Sequence, residues 1–245
     1  MIDPYLSECL ARKYAASAFK HERLMDSPIQ ARDLTARNWI FCTRRHSDHM
    51  DHEALPILMR SNPNCHIIAP AAEQQHIQAL GLSGDRTMLV CAGDHLALTP
   101  EMSVEVLASA HEALNTHEQG HAHYLGFVLR VGGLTIYHSG DCVPYDGLKE
   151  KLIQTQVDVA FLPVNGRDEL RRQHKIPGNF SFAESLELCR AAGIPQMLCH
   201  HFGMFSFNTV ERERLQDWVE RENAGDCVTI PEVDYQYVIS KREMP

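Results

Sequence analysis

Short apolar runs and amphipathic stretches alternate along the chain, and their periods assign a coarse order of elements. Residues 39–42 (WIFC) read as a strand, and after a polar loop residues 53–60 (EALPILMR) read as a helix. Residues 65–69 read as a second strand, 71–80 as a helix stopped by Gly81, and 87–91 as a third strand. Residues 103–108 alternate apolar and polar side chains, as a half-buried strand does. Residues 124–131 and 134–137 flank Gly132–Gly133, a two-residue hairpin signal. The continuous apolar run at 157–164 reads as a buried strand. Ser181 with Glu184 predicts a capping box opening a helix over 182–192, which ends near Gly193. A strand at 196–199, a helix at 210–222 and two short closing strands complete the order. Hairpins mixed with β–α alternation predict two sheets with helices outside them, as one domain over residues 1–245.

Composition narrows the class. A hydrophobic content of 44% supports a real core, and 22% charged residues is ordinary for a folded chain. The 23 Lys+Arg and 32 Asp+Glu leave a formal charge of −9, which argues against coating nucleic acid, because phosphate neutralisation needs a basic face. The longest apolar runs fall far short of the roughly 20 residues of a membrane helix. The opening MIDPYLSECL shows no basic segment followed by an apolar stretch, so no secretory signal is expected. Eight cysteines are scattered from Cys9 to Cys227 without a CxxC pair, a poor disulfide or structural zinc framework. Reduced thiols in a cytoplasmic protein are the expectation.

The chemistry lies in the fifteen histidines. Residues 43–52 (TRRHSDHMDH) fall between a strand and a helix and carry the imidazole and carboxylate donors that zinc, manganese or iron accept. His111 lies just past the strand at 103–108, HSGD at 138–141 ends the hairpin, and HHFGMF at 200–205 follows the strand at 196–199. Any one of these alone reads equally well as a solvated loop. Four together, each just beyond an apolar strand, are expected where strand ends open on one cleft.

With these segments the chain resembles the metallo-β-lactamase superfamily and, more narrowly, the L-ascorbate-6-phosphate lactonase (UlaG-like) family of metal-dependent hydrolases. The carrying segments are IDPYLS at 2–7, TRRHSDHMDHEALP at 43–56, SAHE at 109–112, IYHSGD at 136–141, LPVNGRDELR at 162–171, GNFSFAE at 178–184 and HFGMFSFNT at 201–209. The resemblance implies an αββα sandwich, two mixed sheets with outer helices, and a dinuclear site in the cleft. It implies that His46 and His111 hold a first metal, that Asp48, His49 and His201 hold a second, that Asp141 bridges, and that Asp3 orients ligands. The implied substrate is a small phosphorylated lactone such as L-ascorbate 6-phosphate, opened by metal-bound hydroxide. One or two manganese or zinc ions per chain fit the donor set. Phosphodiester hydrolysis is the nearest alternative. A degenerate relative that binds a metal or an anion without turnover is the alternative of a different class.

Two departures from the family pattern matter. Where the motif T-H-x-H-x-D-H has its first histidine, this chain has Arg44. A guanidinium stays protonated and offers no lone pair, so the first metal position is expected to be weak or empty. His200, His123 and His138 are substitute ligands to be considered. The chain also starts at IDPYLS, where family members have already completed a hairpin, so either the first strands are absent and leave a sheet edge for a second copy to cover, or the gene start is displaced. A homo-oligomer is therefore expected. Among substrate contacts, Arg167 is the candidate for a phosphate or carboxylate, with an ion pair to Asp168 as the bland alternative. Asp48 and Asn179 join it as candidate catalytic groups, while Arg171, Arg172 and Lys175 read as a solvated face.

Overall fold

The computed structural model describes residues 1–241. Period-two alternation along the strands divides the core into layers. In β1 (Trp39–Phe41) and β2 (His66–Pro70), Ile40, Ile67 and Ala69 face α2 (Ala54–Ser61) and α3 (Gln74–Ala79). The alternate residues Phe41 and Ile68 face the other sheet. In β5 (Met102–Ala108) and β6 (Leu125–Val131), Val104, Val106, Leu125, Phe127 and Leu129 meet them there. Leu107 and Val128 point the opposite way, into a core shared with α4 (Leu148–Thr155), α6 (Phe182–Ala192) and α7 (Arg212–Arg221). The result is helices, sheet, sheet, helices: the αββα sandwich.

The smaller sheet, β1-β2-β3 with β3 at Thr87–Val90, is wholly parallel. The larger sheet is mixed. Its order is β10-β9-β8-β7-β6-β5-β4, where β4 is His95–Thr99, β7 Leu134–His138, β8 Val159–Pro163, β9 Gln196–His200 and β10 Val228–Thr229. β5 is antiparallel to β6 and β6 to β7, while β7, β8 and β9 run parallel. The C-terminal ends of β5, β7, β8 and β9 therefore share one rim. The amide of Leu125, at the start of β6, donates to the carbonyl of Thr43, just past β1, and so brings the end of β1 to the same rim.

The hairpin at Gly132–Gly133 forms as expected, with both glycines at positive φ (59° and 78°), the twist a two-residue turn needs. The capping box on α6 is present in both directions, and Gly193 closes the helix left-handed. Several details differ from the sequence reading. Residues 71–80 split into a 3-10 turn, Ala71–Glu73, and α3, because Glu73 turns its carboxylate inward to His123. The short α1 (Cys9–Lys13), β4, α4 and α5 (Glu169–Gln173) escaped the pattern; each has few apolar positions to show a period. One closing strand, β10, is found among the described residues rather than two. Residues 1–3 lie parallel to β1, with Phe41 N–H donating to Met1 O and Asp3 N–H to Phe41 O. The chain's own first residues thus pair with the edge of β1 that faces away from β2.

Candidate metal centre

At the rim, Gly140 shows why the IYHSGD segment needs its glycine. Its φ is +59°, and a Cβ there would lie 2.8 Å from Thr43 Cβ. The ends of β1 and β7 can approach only without that carbon. Ser109 Oγ donates to the carbonyls of Ser139 and Asp141, which fixes the end of β5 against the end of β7.

This closure brings four sequence-predicted residues together. Asp48 and His49 come from the loop after β1, Asp141 from the end of β7 and His201 from the end of β9. One donor atom from each lies within 4.8 Å of all the others. His49 Nε2 is 3.4 Å from Asp48 Oδ2 and 3.4 Å from Asp141 Oδ1, and His201 Nε2 is 3.1 Å from Asp141 Oδ2. Ligands bonded tetrahedrally to one ion at about 2.0–2.2 Å stand roughly 3.3–3.6 Å apart, and the two 3.4 Å distances from His49 Nε2 match that spacing, with all four donors within 4.8 Å of one another. The buried Asp141 Oδ1 has no hydrogen-bond partner, an acceptor without a donor where a cation would sit. The residues fit the group.

The surroundings hold these donors in place. His49 Nδ1–H donates to Asp3 Oδ2 at 2.7 Å, which turns the Nε2 edge of the ring toward the cluster. Thr43 locks Asp3 in turn, through its amide to Oδ1 (2.8 Å) and its hydroxyl to Oδ2 (2.7 Å). The sequence reading included Asp3 but missed Thr43; its position directly at the strand end was the available signal. Asp3 and His201 both hold left-handed backbones, φ 46° and 58°, the kind of strain found where a site over-determines a conformation. Burial and Arg44 oppose a proton on His49, but Asp3, Asp48 and Asp141 outweigh them, and its pKa stands well above that of ordinary imidazole. Burial works against charge on Asp141 too, yet Arg44, His201 and His49 hold its carboxyl well below the usual range.

Arg44 lies inside this arrangement rather than outside it. It is 3% exposed. Nη2 is 2.5 Å from Asp141 Oδ2 and 3.5 Å from Asp48 Oδ2, and Nη1 donates to His111 Nε2 at 2.7 Å. His46 and His111 face each other at 5.9 Å between ring centroids, outside the four-donor cluster. Burial and then Arg44 depress both imidazoles, His46 to about 4 and His111 to about 2, so both are neutral at pH 7.

The remaining candidates fall elsewhere. Arg167 pairs with Glu184 through both terminal nitrogens and with the carbonyl of Asn179. It pairs with Glu184, not with Asp168, and its fork is not free for an anion. Asn179 is fully buried, and its Nδ2 donates to Asn165 Oδ1, so it braces the loop rather than reaching the cleft. Gly178 allows that brace, since a Cβ there would collide with Arg167. Arg171 is not a solvated residue: it ties Asp168, Asn208 and the carbonyl of Asn165 together across the loops after β8 and β9. Neither His200, stacked on His138 at 4.8 Å, nor His123, bonded to Glu73 at 2.6 Å, joins the donor cluster.

Comparison with known proteins gives the chain its relatives. Residues 1–202 match the family model described as "Beta-lactamase superfamily domain". Over 145 residues the chain is 26% identical to a UPF0173 metal-dependent hydrolase of Caldivirga maquilingensis, a match covering 58% of each protein. The fold is similar to that of an isothiocyanate hydrolase from Delia radicum gut bacteria, with a TM-score of 0.78 at 18% identity over 98% of this chain and 92% of that one. It is also similar to Igni18, a metallo hydrolase of Ignicoccus hospitalis, with a TM-score of 0.64 at 15% identity over 95% and 86%.

Proposed function

The chain belongs to the beta-lactamase superfamily, and from that premise we propose that it is a metal-dependent hydrolase whose divalent ion is held by Asp48, His49, Asp141 and His201. The observation that carries the reading is the convergence of these four donors around the unpartnered Asp141 Oδ1. When bound, a divalent ion supplies Lewis-acid polarisation and acidifies water to a pKa of about 7. The chain's own residues do the positioning. Asp3 and Thr43 fix the orientation of the His49 ring, while Arg44 and His201 hold Asp141. The Asp48 side chain, 22% exposed against 16% for His201 and 2% for Asp141, is the most open of these, so substrate approaches from its side.

We read that approach as apolar because Phe205 and Phe207, in the loop that follows His201, pack with an aromatic cluster: His21 lies on Tyr14 and against both phenylalanines, and Phe19 packs against Phe207. The arginines of the neighbouring loops are already committed, Arg167 to Glu184 and Arg171 to Asp168. The combination favours an uncharged electrophile. A neutral lactone fits, as does an isothiocyanate, the class for which the Delia radicum gut-bacterial protein is named. The phosphorylated lactone implied by the family resemblance would need an anion-binding group other than Arg167. The test is chelator-stripped protein, restored with zinc or manganese and assayed on a neutral aryl lactone, an aryl isothiocyanate, a phosphorylated lactone and an aryl phosphodiester. Metal-dependent turnover of a neutral substrate is expected. Turnover of the phosphorylated compounds alone would overturn the substrate class, and activity unchanged by stripping would overturn the metal reading.

A further inference from the structure

In the other half of the cleft, His46 and His111 play no part in that proposal. The family resemblance implies a cation on His46, His111 and Asp141, yet a guanidinium fills the space between His111 and Asp141, and His46 faces His111 at 5.9 Å between ring centroids. We propose that Arg44 is a built-in cation in place of a second metal, so that the chain holds one ion and Asp141 is shared between that ion and Arg44. The inference rests on the metal-hydrolase reading above and adds the number of ions and the role of Arg44.

Three observations carry it. First, the contacts are substitutive. Nη1 takes the His111 Nε2 lone pair, and a lone pair that accepts this hydrogen bond is not free to ligate. Nη2 takes Asp141 Oδ2, which leaves Oδ1 as the unpartnered atom of that carboxylate. Second, the charge is permanent, because an arginine does not give up its proton to make room for a dication. Third, Arg44 is not a mobile surface group. It is 3% exposed, its Nε is itself buried without a partner, and swinging it out would strip Asp141 of its closest cation. Arg44 is therefore a positioning residue: it orients Asp141 with Oδ1 toward His49 and keeps His46 and His111 free of metal.

The experiment counts ions. Wild-type protein is stripped with chelator and titrated with manganese(II), with bound metal followed by equilibrium dialysis and by electron paramagnetic resonance. Saturation at one ion per chain, with the spectrum of an isolated manganese, is the expected result. Arg44→His restores a donor and removes the cation, so it is expected to saturate at two ions with a spin-coupled spectrum. Should that variant fail to fold, the wild-type count decides alone. Two ions in the wild type, or a coupled spectrum from it, would overturn the role given to Arg44 while leaving the metal-hydrolase reading intact. No bound ion would overturn that reading and this inference with it.

Discussion

On one side of Asp141 stand Asp48, His49 and His201, with donor atoms spaced for a cation and a carboxylate oxygen left unpartnered. On its other side stand Arg44, His46 and His111, where the cation is already part of the chain. Both halves are built alike, from side chains just past the ends of apolar strands, and both draw on the same carboxylate. One residue separates them. With a histidine at position 44 the family resemblance implies another donor set; with a guanidinium the place holds a buried ion pair. Strand-end architecture thus delivers side chains to a place, and the chemistry of each side chain decides what that place accepts.

The largest test of this contrast removes a donor from the first half. Asp48→Ala is expected to lose bound metal and at least about 100-fold in activity, since the metal's several kcal/mol of transition-state stabilisation go with it. Elemental analysis and a turnover assay on the same sample check both. In the second half, Arg44→Met leaves Asp141 buried without its nearest cation. Breaking a buried pair from one side costs about 3–5 kcal/mol, to be read by urea denaturation of the metal-free protein. Arg167→Met, which breaks a half-exposed pair with Glu184, is expected to cost about 0–1 kcal/mol in the same assay and to leave turnover of neutral substrates unchanged.

How far the sequence foresaw this contrast depends on what each feature required. The hairpin at Gly132–Gly133, the capping box at Ser181 and Glu184, and the strand-end positions of His111, Asp141 and His201 are local signals, and the structure holds each where the pattern put it. The substitution at Arg44 was visible too, but its direction was not. Nothing in TRRH says that the first arginine turns into the cleft while Arg45 stays 61% exposed. The partners of Arg167 and Asn179 were not legible for a related reason. Those partners, Glu184 and Asn165, lie 17 and 14 residues away, and only the folded loop shows that both side chains are already engaged.

A finer test sits behind the first half. Asp3→Asn keeps the shape of the side chain but weakens its hold on His49 Nδ1–H, and a metal affinity 10–100-fold lower is expected by titration, as is usual for such outer partners (~10–100-fold). Acid separates the halves more gently. His46 and His111 have folded pKa values of about 4 and about 2, below the unfolded value, so the unfolded chain binds more protons as pH falls. Each then removes roughly 1.4 kcal/mol of stability per pH unit, starting near pH 6.5 and ending near the folded pKa of that group. His49 works in the opposite sense: its pKa is raised, so its contribution is complete below the unfolded pKa and is lost as pH rises through the folded one. Denaturation midpoints of metal-free protein across pH 4–7 check this, and His111→Gln should flatten the acid limb.

The most direct measurement is a crystal structure of zinc-loaded protein with anomalous scattering recorded at the zinc edge. The account predicts one zinc peak, about 2.0–2.2 Å from donor atoms of Asp48, His49, Asp141 and His201, with Arg44 still against His111 and Asp141. A peak between His46, His111 and Asp141, with Arg44 displaced from the cleft, would contradict it.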